Sequence, residues 1–103
     1  MEWADQRRED LRGFYLNALE QLGAIDMKAK RFREAREIYE RVVATDPYRD
    51  EAHLALMKSM VDSGAASAAI AHFKEYKQLL HKELNADPID ALQDYYTQLT
   101  IRV

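Results

Sequence analysis

Residues 31–47 read RFREAREIYERVVATDP. Phe32, Ala35, Ile38, Tyr39, Val42 and Val43 recur at spacings of three and four, so in a helix they line one stripe. The basic residues ahead of Phe32 mark the turn into this helix. Asp46-Pro47 ends it, because the residue before proline is pushed out of the α region and proline has no amide hydrogen to donate. One such helix cannot bury its own stripe, so the chain is expected to supply others of the same kind. It does so at one constant shift, which carries Leu22 to Leu56, Ala35 to Ala69 and Tyr39 to Phe73, as a helical-hairpin repeat would.

Upstream, Trp3 to about Ala29 contains no proline, and Trp3, Leu11, Phe14, Tyr15, Ala18, Leu19, Leu22 and Ile25 keep a helical period. One long helix is predicted. Gly13 and Gly23 each cost it about 1 kcal/mol relative to alanine, so a bend or break near either is compatible with the pattern. Gly23 also occupies the repeat position where two helices approach closely and only a small side chain fits. Downstream, Pro47 sits close to the start of a third helix, Tyr48 to about Ser63, with Ala52, Leu56, Met57, Met60 and Val61 as its stripe. Gly64 is expected to close it as a left-handed cap. A fourth helix runs from Ala65 to about Leu84, with Ala69, Ile70, Phe73, Tyr76, Leu79, Leu80 and Leu84 facing inward. It outruns the repeat, since Asp87-Pro88 follows Asp46-Pro47 at more than the shift that relates Leu22 to Leu56. The last helix, Ile89 to about Ile101, carries Leu92, Tyr95, Tyr96 and Leu99 and would cap the open end of the stack. Two repeats alone bury too little core to do without such a cap. The expected fold is all-α: antiparallel helix hairpins, two repeats plus a C-terminal capping helix, forming one domain over residues 1–103.

The composition, 48% hydrophobic and 32% charged over 103 residues, is that of an ordinary soluble domain. The absence of cysteine excludes disulfides and thiolate chemistry and agrees with a cytoplasmic location. No apolar run approaches the roughly 18 residues of a membrane span, and the opening MEWADQRRED is too charged for a signal peptide. A net charge of −3 argues against a surface built to neutralise phosphates.

Catalytic chemistry finds no support. His53, His72 and His81 are the only histidines, and no two have the i, i+4 spacing that would put a pair of metal ligands on one helix face. His72 stands one repeat after Ile38 and reads as a partly buried core neighbour. Glu34, Glu37 and Glu40 lie on an exposed face beside Arg33, Arg36 and Arg41, which reads as a solvated charged surface. No glycine-rich phosphate loop or nucleophile elbow is present, and Asp46 and Asp50 lack the other oxygen ligands of a calcium loop. No catalytic residue, metal or cofactor is expected.

The residues Leu22, Gly23, Phe32, Ala35, Tyr39 and Pro47, followed by Leu56, Gly64, Ala69 and Phe73, resemble the tetratricopeptide pattern. The second repeat departs from it, with Met57 at the glycine position and no terminal proline. Those departures narrow the resemblance. DPYRDEAH, ALMKSMVDSG, FKEYKQLLHKELNADP and LQDYYTQL, with EWADQRREDLR at the front, are similar to the bacterial transcriptional activator domain. That domain occurs in regulators of the Streptomyces-antibiotic-regulatory-protein type and in some response regulators. The likeness covers nearly the whole chain; Asn85 stands where the family has glycine, a mild change because asparagine also tolerates left-handed φ. The resemblance implies a role in transcription activation, with a winged-helix DNA-binding domain elsewhere in a longer parent. The chain is then expected to be a C-terminal fragment of such a regulator, with Met1 either a natural start or an addition to it.

Three candidate surfaces follow. Trp3 and Leu11 precede the first repeat, and either other parts of a parent protein cover them or they pack onto the capping helix. Lys28, Lys30, Arg31, Arg33 and Arg36 form a basic cluster that would contact phosphate or an acidic partner, or would simply solubilise a turn. The third is the concave groove that the first helix of each repeat would line. Asn17, Glu20, Gln21 and Ala24 would face it from one repeat and Glu51, Leu54, Ala55, Lys58 and Val61 from the next. With Lys58 its one suitable cation, it does not suit a bound carboxylate; a helix or apolar segment fits better, unless the capping helix or another subunit fills it. The reading is a non-catalytic interaction and regulatory module of a bacterial transcription factor. Its partners would be the parent's winged-helix domain, the transcription machinery or a second copy in a homodimer, with neither nucleic acid nor membrane bound directly. The alternative is a free-standing adaptor or scaffold that binds a peptide or partner helix and is unrelated to DNA.

Overall fold

The structure is a computed structural model that describes residues 2–102; Met1 and Val103 lie outside the described residues. Five helices follow one another: α1 Glu2–Lys28, α2 Phe32–Thr45, α3 Asp50–Asp62, α4 Ala66–Leu84 and α5 Asp90–Arg102. No strand occurs among the described residues. α1 packs on α2, α2 on α3 and α3 on α4, and α5 closes against both α3 and α4. The result is a slab of 51 × 36 × 17 Å, about two helix layers thick.

Each helix forms where the stripe required it, and the core is what the stripes share. One cluster joins Ala35, Tyr39, Leu56, Met57, Ala69 and Phe73 to Leu92 and Leu99 of α5; a smaller one joins Leu16 and Leu19 of α1 to Val42 and Ala52. α1 is a single helix with no break at either glycine. At Gly23 the ring of Tyr39 lies so close that a Cβ would stand 2.6 Å from its Cζ, which is the close helix approach expected there. Asp46 is extended (φ −136°, ψ 93°), as the proline after it demands. Gly64 (φ 92°) and Asn85 (φ 50°) take left-handed conformations after α3 and at the end of α4.

Three expectations need correcting. α3 starts at Asp50 instead of Tyr48, because the Asp46 carboxylate accepts the Tyr48 amide (3.3 Å) and holds residues 47–49 in a turn. Leu84 is exposed: the chain reverses at Asn85, the Ala86 amide bonds back to the Leu80 carbonyl (3.2 Å), and Pro88 is buried there instead. Trp3 and Leu11 do not reach the capping helix, since α5 lies on α3 and α4 at the far end of the stack.

Candidate interaction surfaces

α1 carries two apolar stripes. Leu16, Leu19 and Gly23 are buried against α2, and Arg12 donates to the Thr45 carbonyl where α2 ends. At about 1.5 Å per residue, the 27-residue α1 is nearly twice the length of the 14-residue α2, so its first turns project past that contact. The other stripe is bare. Leu11, Phe14, Tyr15, Ala18, Leu22 and Ile25 are all exposed, Phe14 at 73% and Leu22 at 51%, with Trp3 (77%) on its shoulder. At about 100° per residue these side chains fall within one face about 100° wide, turned about 120° from the buried one. Covering one leucine or phenylalanine fully is worth about 1.5–3 kcal/mol, so a contiguous bare stripe of this size is unusual on a self-sufficient domain.

The internal repeat explains the bare stripe. The shift that relates Ala35 to Ala69 also carries Ala18 to Ala52, Leu22 to Leu56 and Ile25 to Ser59. All three of those α3 residues are buried, Ala52 in the cluster of Val42, and Leu56 in that of Ala35 and Tyr39. α3 therefore uses these positions to receive the helix before it, α2. α1 offers the same positions to nothing within the described residues. At the other end, α5 turns Asp90, Asp94, Thr97 and Gln98 outward with Ile101 (78%) exposed among them, so that end of the stack presents a mostly polar face. Sequence reasoning marked Trp3 and Leu11 as the uncovered pair. The surface in fact extends down α1 to Ile25.

The groove residues are less free. Arg49 Nη1 donates to Glu20 Oε2 (2.6 Å) and Asn17 Oδ1 (3.0 Å) while its Nε donates to Asp46 Oδ2 (3.2 Å), which ties the α2–α3 turn to α1. Leu54, Ala55 and Val61 are half-buried and pack on the cluster that holds Leu92 and Leu99 of α5. Lys58 Nζ stands 5.7 Å from the centre of the Tyr95 ring; Gln21, Ala24 and Glu51 remain exposed. α5 thus occupies part of the space an extended groove would leave open.

The basic residues gather at the α1–α2 turn. Lys28 ends α1, Lys30 takes a left-handed φ of 61°, and Arg31 is the N-cap of α2. Arg31 pairs with Asp26 (2.8 Å) and Arg36 with Glu40 (3.3 Å), while Arg33 is exposed. Two of the five charges are already met by carboxylates.

A histidine pair, not foreseen as such, sits between α3 and α4. His53 Nε2–H donates to the Pro47 carbonyl (2.7 Å), so its Nδ1 accepts from His72 Nε2–H (2.8 Å). The His53 ring stacks on Tyr76, whose hydroxyl donates to Asp50 Oδ1 (2.5 Å). Burial pushes the His53 pKa down to about 4 and lowers that of His72, so both rings are neutral near pH 7. Burial, then the bond to Asp50, raises the Tyr76 pKa. Every ring nitrogen described here serves as a donor or acceptor inside the helix stack, which is a structural role. No cluster of three or more His, Asp or Glu able to hold a metal occurs among the described residues.

No helix described is long and apolar enough to cross a membrane. No curated protein matches the chain, and neither does any solved structure. A family model does, over residues 1–100, and essentially the whole length of the chain thus belongs to the bacterial transcriptional activator domain family.

Proposed function

We propose that the chain is a non-catalytic interaction and regulatory module of a cytoplasmic bacterial transcription factor, working through the bare face of α1. The observation that carries this reading is the stripe from Leu11 to Ile25, left open at positions where α3 receives a helix. Its occupant is protein: the winged-helix domain of a longer regulator, the transcription machinery or a second copy. DNA contact belongs to another domain, in keeping with the net charge of −3 and with the pairing of Arg31 and Arg36 to their own carboxylates.

The test is transcription from a promoter controlled by the regulator that carries this domain. Leu22→Glu places a charge on the stripe, and Asp94→Ala alters the polar far end as a control. Loss of about 1.4 kcal/mol of docking energy lowers output about tenfold in the first variant and leaves the second at wild-type level. Unchanged output from a folded Leu22→Glu regulator would overturn the proposal.

A further inference from the structure

We infer that the occupant of the bare α1 face is the α1 of a second copy of this chain, laid antiparallel about a two-fold axis that passes beside Ala18. The inference rests on the reading of that face as an interaction surface and names the partner.

Two observations carry it. The first is the slot itself. On α3, the positions of Ala52 and Leu56 hold α2, which runs antiparallel to α3 in a helical hairpin stack. The equivalent positions on α1, Ala18 and Leu22, are therefore shaped for an antiparallel helix. α2 and α4 of a second copy have spent their stripes on their own neighbours, and α5 turns a largely polar face outward. Among the described helices, α1 alone has a long apolar stripe to offer.

The second observation is that the stripe is its own complement. About Ala18 the large apolar residues stand at −7 (Leu11), −4 (Phe14), −3 (Tyr15), +4 (Leu22) and +7 (Ile25). Reversing one copy against another sets Leu11 beside the partner's Ile25 and Phe14 beside the partner's Leu22, with the two small Ala18 side chains facing at the centre and Tyr15, at the edge of the stripe, beside the partner's Gln21. That is the isologous arrangement a two-fold dimer requires, with a small residue where the helices come closest. The pairing continues the helix stack across the axis and leaves a largely polar α5 at each outer end, as a stable short stack needs.

The chain contains no cysteine, so a single introduced thiol reports on the pairing without interference. Ala18→Cys puts two thiols together at the axis, within the Cα separation of about 7 Å that a disulfide allows, and Gln98→Cys on the outer face of α5 serves as the control. Light scattering across a concentration series should give twice the chain mass, reduced to one by Leu22→Glu, and oxidation should cross-link Ala18→Cys but not Gln98→Cys. A dimer that survives Leu22→Glu, or one in which Ala18→Cys stays uncross-linked, overturns the inference. A monomer at every concentration does so as well. In that case, lower promoter output from Leu22→Glu shows that the face serves a different protein, whereas unchanged output means that both the inference and the proposed function fail.

Discussion

Gly23→Ala and Gly13→Ala make the same chemical change in the same helix and are expected to have opposite effects. Both replace glycine in the interior of α1, where alanine is favoured by about 1 kcal/mol through the backbone freedom it removes from the unfolded chain. At Gly13 nothing lies within 4 Å of the added Cβ, so the gain survives and the variant is more stable by up to about 1 kcal/mol. At Gly23 the Cβ would stand 2.6 Å from Tyr39 Cζ and 2.9 Å from both Cε atoms, so ring and helix must separate by about 1 Å to reach ordinary contact. Tyr39 is 4% exposed and belongs to the main core cluster, which leaves its ring nowhere to swing. Overpacking of this kind costs about 1–3 kcal/mol, so after the helix gain the net loss is about 1 kcal/mol or more. For a domain of this size that is a fall in Tm of roughly 4–8 °C. Thermal and urea melts followed by circular dichroism measure both variants. Tyr39→Leu removes the ring, so in the double variant Gly23→Ala should cost far less than it does alone. Gly23→Ala as stable as wild type, or equally costly with and without the ring, would refute the close-approach reasoning.

Two further outcomes concern stability. His53 has a folded pKa of about 4 against about 6.5 unfolded, so the unfolded chain binds the extra proton between those values. Stability is therefore complete above about pH 6.5 and falls as pH drops toward 4, by about 2 kcal/mol at pH 5. Urea melts at pH 7 and pH 5 should show that loss in wild type and much less of it in His53→Gln; equal losses would contradict the buried neutral pair. At Asn85 the left-handed φ of 50° favours glycine and penalises a Cβ without a compensating amide. Asn85→Ala should lose about 1 kcal/mol in the same melts while Asn85→Gly stays level or gains, and the reverse order would refute the cap.

The helices, their order and the close contact at Gly23 were legible because each rests on local chemistry: a stripe at helical spacing, a proline stop, a small residue at a repeat position. What the sequence concealed was which apolar residues of α1 are inside. With two stripes on one helix, Leu16 looked no different from Leu22, and the apolar period included Leu22 while passing over Leu16, the residue that is 1% exposed. The repeat shift from the buried Ala52 and Leu56 resolves this, but only once burial on α3 is known. His53 meets His72, and Arg49 meets Glu20, each pair on different elements far apart along the chain. Contacts of that span depend on how the helices are set against each other, which no local pattern encodes. Leu84 failed for the opposite reason, since its helical spacing was right but the chain turned away at Asn85 before anything could cover it.

If α1 is the docking face, its stripe is covered when the regulator works, and thiol accessibility reports that covering. Leu22→Cys gives the cysteine-free chain one thiol at the middle of the stripe, and its alkylation rate can be measured in dilute isolated chain and in the complete regulator bound to its promoter. At concentrations where light scattering gives a monomer, the isolated chain should react as a free exposed thiol does. In the assembled regulator the rate should fall at least about tenfold, as burial of the side chain under a partner requires. A free-thiol rate in the assembled regulator as well would mean that the stripe stays open during function and would contradict the role assigned to α1.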